Sequence, residues 1–210
     1  GVSTGVGAAI KTAEVEPGAT VAVFGCGGVG LNTIQGCRIA GASQIIAVDL
    51  SQEKMEMAKE FGATHTISPG GDPIKEIYEH TNGMGVDYAF EVVGNGKLVE
   101  QCVKATRKNG TIVMVGVGRL DDKFSVRAPI MVFTAKTIKG CMYGSVNFKT
   151  DFPMYLDLYR QGKLDLDSLV SQTYTLDEAM KGFEDLVSGV NARAAIVHQS
   201  SVRDHNCCTK

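Results

Sequence analysis

The chain has 210 residues, enough for one large domain or one domain with an appendage, and its 21 Lys+Arg against 23 Asp+Glu give a net charge of −2 with no basic run. That balance argues against a nucleic-acid partner. Hydrophobic residues at 44% can fill a core, and 25 Gly beside only 5 Pro point to glycines used in turns, not in a collagen or linker repeat.

No stretch reaches about 18 consecutive apolar residues, and the first 18 residues lack the basic start and apolar centre of a signal peptide. A soluble protein with no membrane partner is expected. The chain also begins at Gly instead of Met, which suggests a fragment or a processed product. Six cysteines (Cys26, Cys37, Cys102, Cys141, Cys207 and Cys208) form no C-x-x-C pair, so no metal site is expected within the chain. Four of them sit among apolar neighbours as reduced thiols would, which points to a reducing, cytoplasmic compartment.

The first predicted element is the strand Thr20-Val21-Ala22-Val23-Phe24, bounded by Pro17-Gly18 and by glycines, and a helix follows over Leu31 to Ala40. Gln44 to Asp49, apolar until its last residue, is the second strand. Ser51 then caps a helix over Gln52 to Phe61 that Gly62 stops. Asp72-Pro73 opens a helix in the N-cap and N1 positions, running to about Thr81, where Asn82-Gly83 ends it. Strands are predicted at Val86 to Val93, Thr111 to Val117 and Thr137 to Met142, with a helix over Lys97 to Thr106. Alternation of strand and helix requires crossovers between parallel strands, so the fold class is α/β, a doubly wound parallel sheet with helices on both faces.

Beyond Tyr143 the pattern changes to a helix from about Phe152 to Gln161, a Gly162 stop, a second helix near Asp177 to Ser188 and a strand Arg193 to Val197. The expected organisation is this α/β domain over 1–142, a segment of a second domain over 143–198, and a tail over 199–210 without periodicity.

Gly25-Cys26-Gly27-Gly28-Val29-Gly30 is a G-x-G-x-x-G string between the first strand and the first helix. Its glycines suit a tight turn, a close backbone approach to a pyrophosphate and close helix-to-strand packing, with the anion on the helix N-terminus. Asp49 follows Gly30 by 19 residues at the end of the second strand, where a carboxylate can accept both adenosine-ribose hydroxyls and repel a 2′-phosphate. NAD is therefore favoured over NADP, with the nicotinamide beyond the ends of the strands that finish at Glu91-Val92-Val93-Gly94 and Val115-Gly116-Val117. A methyltransferase loop is an alternative with the same glycine-plus-acid pattern.

These strings, together with Gly1-Val2-Ser3-Thr4-Gly5-Val6-Gly7-Ala8, Val15-Glu16-Pro17-Gly18, Ala58-Lys59-Glu60-Phe61-Gly62-Ala63-Thr64, Gly85-Val86-Asp87 and Lys139-Gly140, resemble the coenzyme domain of the zinc-dependent, medium-chain alcohol dehydrogenases in order and spacing. The resemblance runs from Gly1 to about Val197. It implies that Lys54 also reaches the adenosine ribose, that Val29, Val115 and Val117 flank the nicotinamide, that Cys141-Met142-Tyr143 holds its carboxamide, that Thr4 packs against the ring, and that Arg193 pairs with the pyrophosphate. It further implies hydride transfer between an alcohol and NAD on a catalytic zinc. The family's zinc ligands would lie upstream of Gly1, so the stretch alone is expected to be inactive. A homodimer is implied through the strand Lys136 to Met142 and the neighbouring Arg127 to Phe133 segment.

Two competing readings remain. Tyr159 and Lys163 match the Tyr-x-x-x-Lys pair of short-chain dehydrogenases, but Gly162 at a helix end would take Lys163 off the helix face. A non-catalytic NAD-binding module or a structural protein derived from a dehydrogenase is the other. The four histidines (His65, His80, His198 and His205) share no ligand spacing, and no catalytic residue is assigned within the chain.

Overall fold

The structure is a computed structural model that describes residues 1–67, 70–188 and 193–198. The expected tail over 199–210 lies outside the described residues. The chain divides into two units, Gly1–Leu164 and Asp165–Lys210.

The first unit opens with helix α1 (Val2–Gly7), which continues as a π-helical stretch over Ala8–Ala13 and ends at Glu14 in the left-handed region. There follow β1 (Thr20–Phe24), α2 (Gly28–Ile39), β2 (Gln44–Val48), α3 (Gln52–Glu60), β3 (His65–Ile67), α4 (Pro73–His80), β4 (Val86–Glu91), α5 (Gly96–Ala105), β5 (Thr106–Met114), α6 (Ala128–Thr134), β6 (Thr137–Gly140) and α7 (Phe148–Arg160). The strands form one six-stranded sheet in the order β3-β2-β1-β4-β5-β6, parallel throughout. The α/β doubly wound sheet expected from the alternation is the fold observed.

Val21, Ala22, Val23 and Phe24 are all buried, as a central parallel strand covered on both faces must be. Ala22 and Phe24 join Ile46, Ile77, Ala89, Cys102 and Ile112 in one core beneath α4 and α5. Val23 faces the other way, toward Gly30 of α2. Side-chain oxygens start the helices where the sequence places them. Ser51 Oγ accepts from the Lys54 amide, Asp72 Oδ1 from Ile74 and Lys75, and Asn95 Oδ1 from Lys97.

Several elements differ from the sequence expectation. Helix α1 carries two glycines, each costing about 1 kcal/mol in a helix, which hides it from propensity. Both glycines are contact points: a Cβ on Gly5 would overlap the Val29 carbonyl oxygen and one on Gly7 the Gly144 carbonyl oxygen. Strand β5 begins at Thr106, not Thr111, with a register shift opposite Val86–Tyr88, and ends at Met114, leaving Val115 to Val117 in the following turn. Helix α7 begins at Phe148, because Asn147 caps it through the Lys149 amide, and Pro153 lies inside it. The α7 helix ends before Gly162 (φ +68), so Lys163 is off its face and the Tyr159/Lys163 pair is not built.

The second unit contains β7 (Gln172–Tyr174), α8 (Ala179–Ser188) and β8 (Ala194–Ile196), with β7 and β8 paired in parallel. Tyr174 ties strand to helix, its hydroxyl donating to Asp185 Oδ2 at 2.6 Å.

At the amino end of the main sheet, the Asp87 carboxylate accepts from the Thr20 amide (2.7 Å) and hydroxyl (2.8 Å) and pairs with Arg107. Burial pushes this carboxyl up, but the Thr20 and Arg107 donors outweigh it and hold it below the ordinary range. A depressed carboxyl stabilises the fold above its unfolded-state pKa and loses that contribution as pH falls through the folded value. Asp87→Asn is thus expected to lower stability by about 1–3 kcal/mol near neutral pH. The difference from the unchanged chain should narrow in urea titrations at about pH 3, below the ordinary carboxyl value.

Candidate functional site

Because every strand of the main sheet points the same way, the turns after β1, β2, β4, β5 and β6 all open on one end of it. The glycine string, Asp49, the Val92–Gly94 turn, the Val115–Val117 turn and Cys141–Tyr143 are those turns, and they extend the sheet by backbone bonds. Gly25 N donates to Val48 O (2.8 Å), Val92 N to Phe24 O (3.0 Å) and Cys141 N to Met114 O (2.9 Å). In sheets of this kind ligands bind outside the carboxyl ends, where strand order reverses, which here is between β1 and β4.

The glycine loop has the geometry its residues anticipate. Gly25 has φ +101, and its backbone faces Val93 of the neighbouring turn. A Cβ on Gly30 would run into the Gly25 carbonyl oxygen, so α2 can start this close to β1 only without one. A Cβ on Gly27 would meet nothing within 4 Å, which leaves the loop open above that residue. No side chain caps the helix that begins at Gly28. Its first-turn N–H groups and the positive end of its dipole face an approachable surface, the arrangement an anion requires.

Asp49 is half-buried, its Oδ2 accepting from the Cys26 amide at 2.7 Å and its Oδ1 from the Ser51 amide at 3.0 Å. Each oxygen keeps lone-pair capacity for a further donor. Lys54 stands in the first turn of α3 beside it. The Cys26 thiol is buried against the Val48 carbonyl and pushed up to about 12, by burial first and the Asp49 charge second, with Lys54 opposing. It is a packing residue and no nucleophile.

The structure also brings Thr4, Val29 and the β6 turn together. Gly5 abuts the Val29 carbonyl, and a Cβ on Gly144 would meet the Ser3 and Thr4 carbonyl oxygens. Tyr143, Gly144 and Ser145 have φ of +54, +74 and +54 in succession. Two non-glycine residues in the left-handed region is strain that only surrounding contacts sustain. The Ser145 hydroxyl is bonded to the Thr12 hydroxyl at 2.8 Å, and the Thr12 hydroxyl lies 3.3 Å from Cys141 Sγ. Val117 and Met142 stand 93% and 87% exposed around this end. Arg193 belongs to the second unit, where its carbonyl accepts from the Ser171 amide and hydroxyl.

The sequence reading named Glu91, the last residue of β4, only as part of a strand end and gave it no role. It is 1% exposed, and its Oε1 accepts from the amides of Val93 (2.9 Å), Gly94 (2.7 Å) and Asn95 (3.3 Å). Asp122 was missed as well; its Oδ2 accepts from Gly96 N at 2.6 Å. The available signal was an acid inside the apolar run Phe90-Glu91-Val92-Val93 just before a glycine. Val92 is the residue of this turn expected at the coenzyme site, and Val93, which projects from the same turn, is the more exposed of the two. A cavity of about 190 Å³ lies here among Glu91, Asn95, Val99, Met114 and Phe124. A cleft of about 350 Å³ opens at the opposite end of the sheet, among Glu16, Tyr88, Asn109 and the Asp87–Arg107 pair, whose charges already satisfy each other. Among the described residues, no group of three or more His, Cys, Asp or Glu side chains could hold a metal ion, and no helix is long and apolar enough to cross a membrane.

The family model described as "Zinc-binding dehydrogenase" matches residues 28–161. A curated relative, S-(hydroxymethyl)glutathione dehydrogenase of Paracoccus denitrificans, is 38% identical over 206 residues, covering 94% of this chain and 55% of the relative. Benzyl alcohol dehydrogenase from Acinetobacter calcoaceticus superposes with a TM-score of 0.90 at 34% identity, over 94% of this chain and 55% of its own. A zinc-binding dehydrogenase from Sinorhizobium meliloti 1021, solved bound to NADP, superposes with a TM-score of 0.79 at 27% identity, over 93% and 55%. The chain thus spans about half the length of the relatives it matches, and it belongs to the zinc-binding dehydrogenases, the zinc-dependent medium-chain family its motifs resemble.

The loop geometry separates two substitutions. Gly30→Ala is expected to destabilise the chain by about 1–3 kcal/mol through overpacking against Gly25. Gly27→Ala, in extended backbone with open space, is expected to stay within about 0.5 kcal/mol, both read by chemical denaturation.

Proposed function

We propose that the chain is the coenzyme-holding part of an NAD-dependent alcohol dehydrogenase that interconverts an alcohol with its aldehyde or ketone. The observation that carries this reading is the pairing of an open, uncapped glycine loop with a clamped carboxylate on the adjacent strand end. The α2 first turn would take the pyrophosphate, Asp49 and Lys54 the adenosine ribose, and the turns after β4, β5 and β6, with Thr4, the nicotinamide. Arg193 is assigned to the pyrophosphate by the family resemblance alone. Bound there, NAD supplies a hydride acceptor for the alcohol carbon. Among the described residues no side-chain group could hold zinc, and no zinc chemistry is assigned to them. The protein's own work is to hold the dinucleotide extended across the strand ends and shield one face of the ring with Val29, Val115 and Val117.

The NADP-bound relative makes cofactor choice the sharp question. Asp49 places a negative charge where a 2′-phosphate would sit, which favours NAD. Asp49→Asn keeps an oxygen for the Cys26 amide and removes the charge. It is expected to weaken NAD binding about tenfold while strengthening NADP binding, so that the preference narrows, in titrations of each nucleotide. Equal affinities in the unchanged chain would refute the assignment.

A homodimer in a cytoplasmic setting completes the proposal. Strand β6 is one edge of the sheet, β3 being the other, and the adjoining Val132 and Phe133 are exposed. Edge lysines commonly block such pairing, but here Lys136 Nζ donates to Val103 O (2.6 Å) and Lys139 Nζ to Thr12 O (3.0 Å). Both are folded back onto helix carbonyls and leave the edge open. Sedimentation is expected to show a dimer at micromolar concentration that Phe133→Glu converts to monomer, whereas a monomeric unchanged chain would defeat the proposal.

A further inference from the structure

We propose that Glu91 is the positioning residue for the nicotinamide half of the coenzyme, holding the β4 and β5 turns in a single backbone arrangement. The proposal rests on the coenzyme reading above.

Glu91 holds one turn with its side chain and the other with its main chain. Its Oε1 gathers the amides of Val93, Gly94 and Asn95, while its carbonyl oxygen accepts from Val115 N at 2.8 Å and Gly116 N at 3.1 Å. A carboxylate taken out of water is costly unless its lone pairs are met, and three converging amides form the anion nest that meets them. The Cys102 thiol, kept neutral far above its ordinary value by burial and then by the Glu91 charge, offers no counter-cation. The arrangement therefore depends on backbone donors.

The two turns so held touch without side chains between them. Gly94 has φ +90, and a Cβ there would overlap the Val117 carbonyl group, just as one on Gly116 would overlap the Gly94 amide. A movement of the Gly94 peptide is thus transmitted directly to Val117. Releasing the carboxylate would free both turns on the β4–β5 side of the site, while Asp49 keeps its own bonds to the Cys26 and Ser51 amides.

The test compares two probes on the full chain. NADH carries the nicotinamide and ADP-ribose lacks it, though both carry the adenosine and pyrophosphate. Glu91→Ala and Glu91→Asp, the second shortening the carboxylate's reach by one methylene, are each expected to weaken NADH about tenfold in fluorescence titration and leave ADP-ribose within about twofold in calorimetry. Glu91→Gln, which keeps an oxygen at full reach, is expected to restore NADH affinity to within about threefold. If Glu91→Ala fails to fold, Glu91→Asp carries the comparison alone. Equal weakening of both probes would make Glu91 a merely structural residue, and unchanged NADH binding in the variants would likewise overturn the proposal. Failure of the unchanged chain to bind either probe would instead overturn the coenzyme reading, and this proposal with it.

Discussion

The carboxyl end of the sheet depends on backbone meeting backbone where no Cβ can stand. Gly30 lies on the Gly25 carbonyl, Gly116 on the Gly94 amide, Gly5 on the Val29 carbonyl and Gly144 on the carbonyls of Ser3 and Thr4. Each approach brings a turn or a helix to within one van der Waals contact of its neighbour, and a single methyl group at any of them would push the pair apart. Protein interiors respond to such insertions by moving, because there is no free volume to absorb them. The glycine excess noticed in the composition is therefore concentrated where rigid segments must converge on one surface.

Turns that converge this closely bring their amides together, and those amides need acceptors. The chain supplies carboxylates. Asp49 takes the amides of Cys26 and Ser51, Glu91 those of Val93, Gly94 and Asn95, and Asp122 that of Gly96. Bonds of this charge-assisted kind are roughly twice as strong as neutral ones. They fix turns that lie beyond the ladder of the sheet and would otherwise be held by few contacts. The amides at the start of α2 meet no such acceptor, since no side chain caps that helix.

The sheet was legible in the sequence chiefly through β1 and β2, nearly continuous apolar runs of the kind that buried parallel strands require. What escaped reading has physical reasons. Helix α1 is hidden by Gly5 and Gly7, whose helix cost is offset by tertiary contact. Strand β3 has three residues, too short for any period to show. The early start of β5 follows from Thr106, whose hydroxyl bonds the Cys102 carbonyl at the end of α5 while its backbone already enters the ladder, so helix and strand abut with no loop residue between. In the candidate site, the residues with a fixed spacing in the motif, Gly25 to Gly30 and Asp49, could be read directly. Glu91 could not, because its meaning comes from three amides that follow it in a turn and from a strand, β5, more than twenty positions away.

The same inventory sets an electrostatic order along the strand ends. Asp49 lies after β2, the uncapped start of α2 after β1, and Glu91 at the end of β4, so the neighbouring turns run negative, positive, negative. On the proposed reading that sequence matches the ligand piece by piece: ribose hydroxyls that donate, a pyrophosphate that accepts, and a nicotinamide ring that is cationic only when oxidised. Fixed backbone dipoles and clamped carboxylates need no reorganisation when the ligand arrives, which is the condition under which weak partial charges are worth most. On that reading, turns already fixed before the dinucleotide arrives leave the remaining contacts free to align the face of the ring.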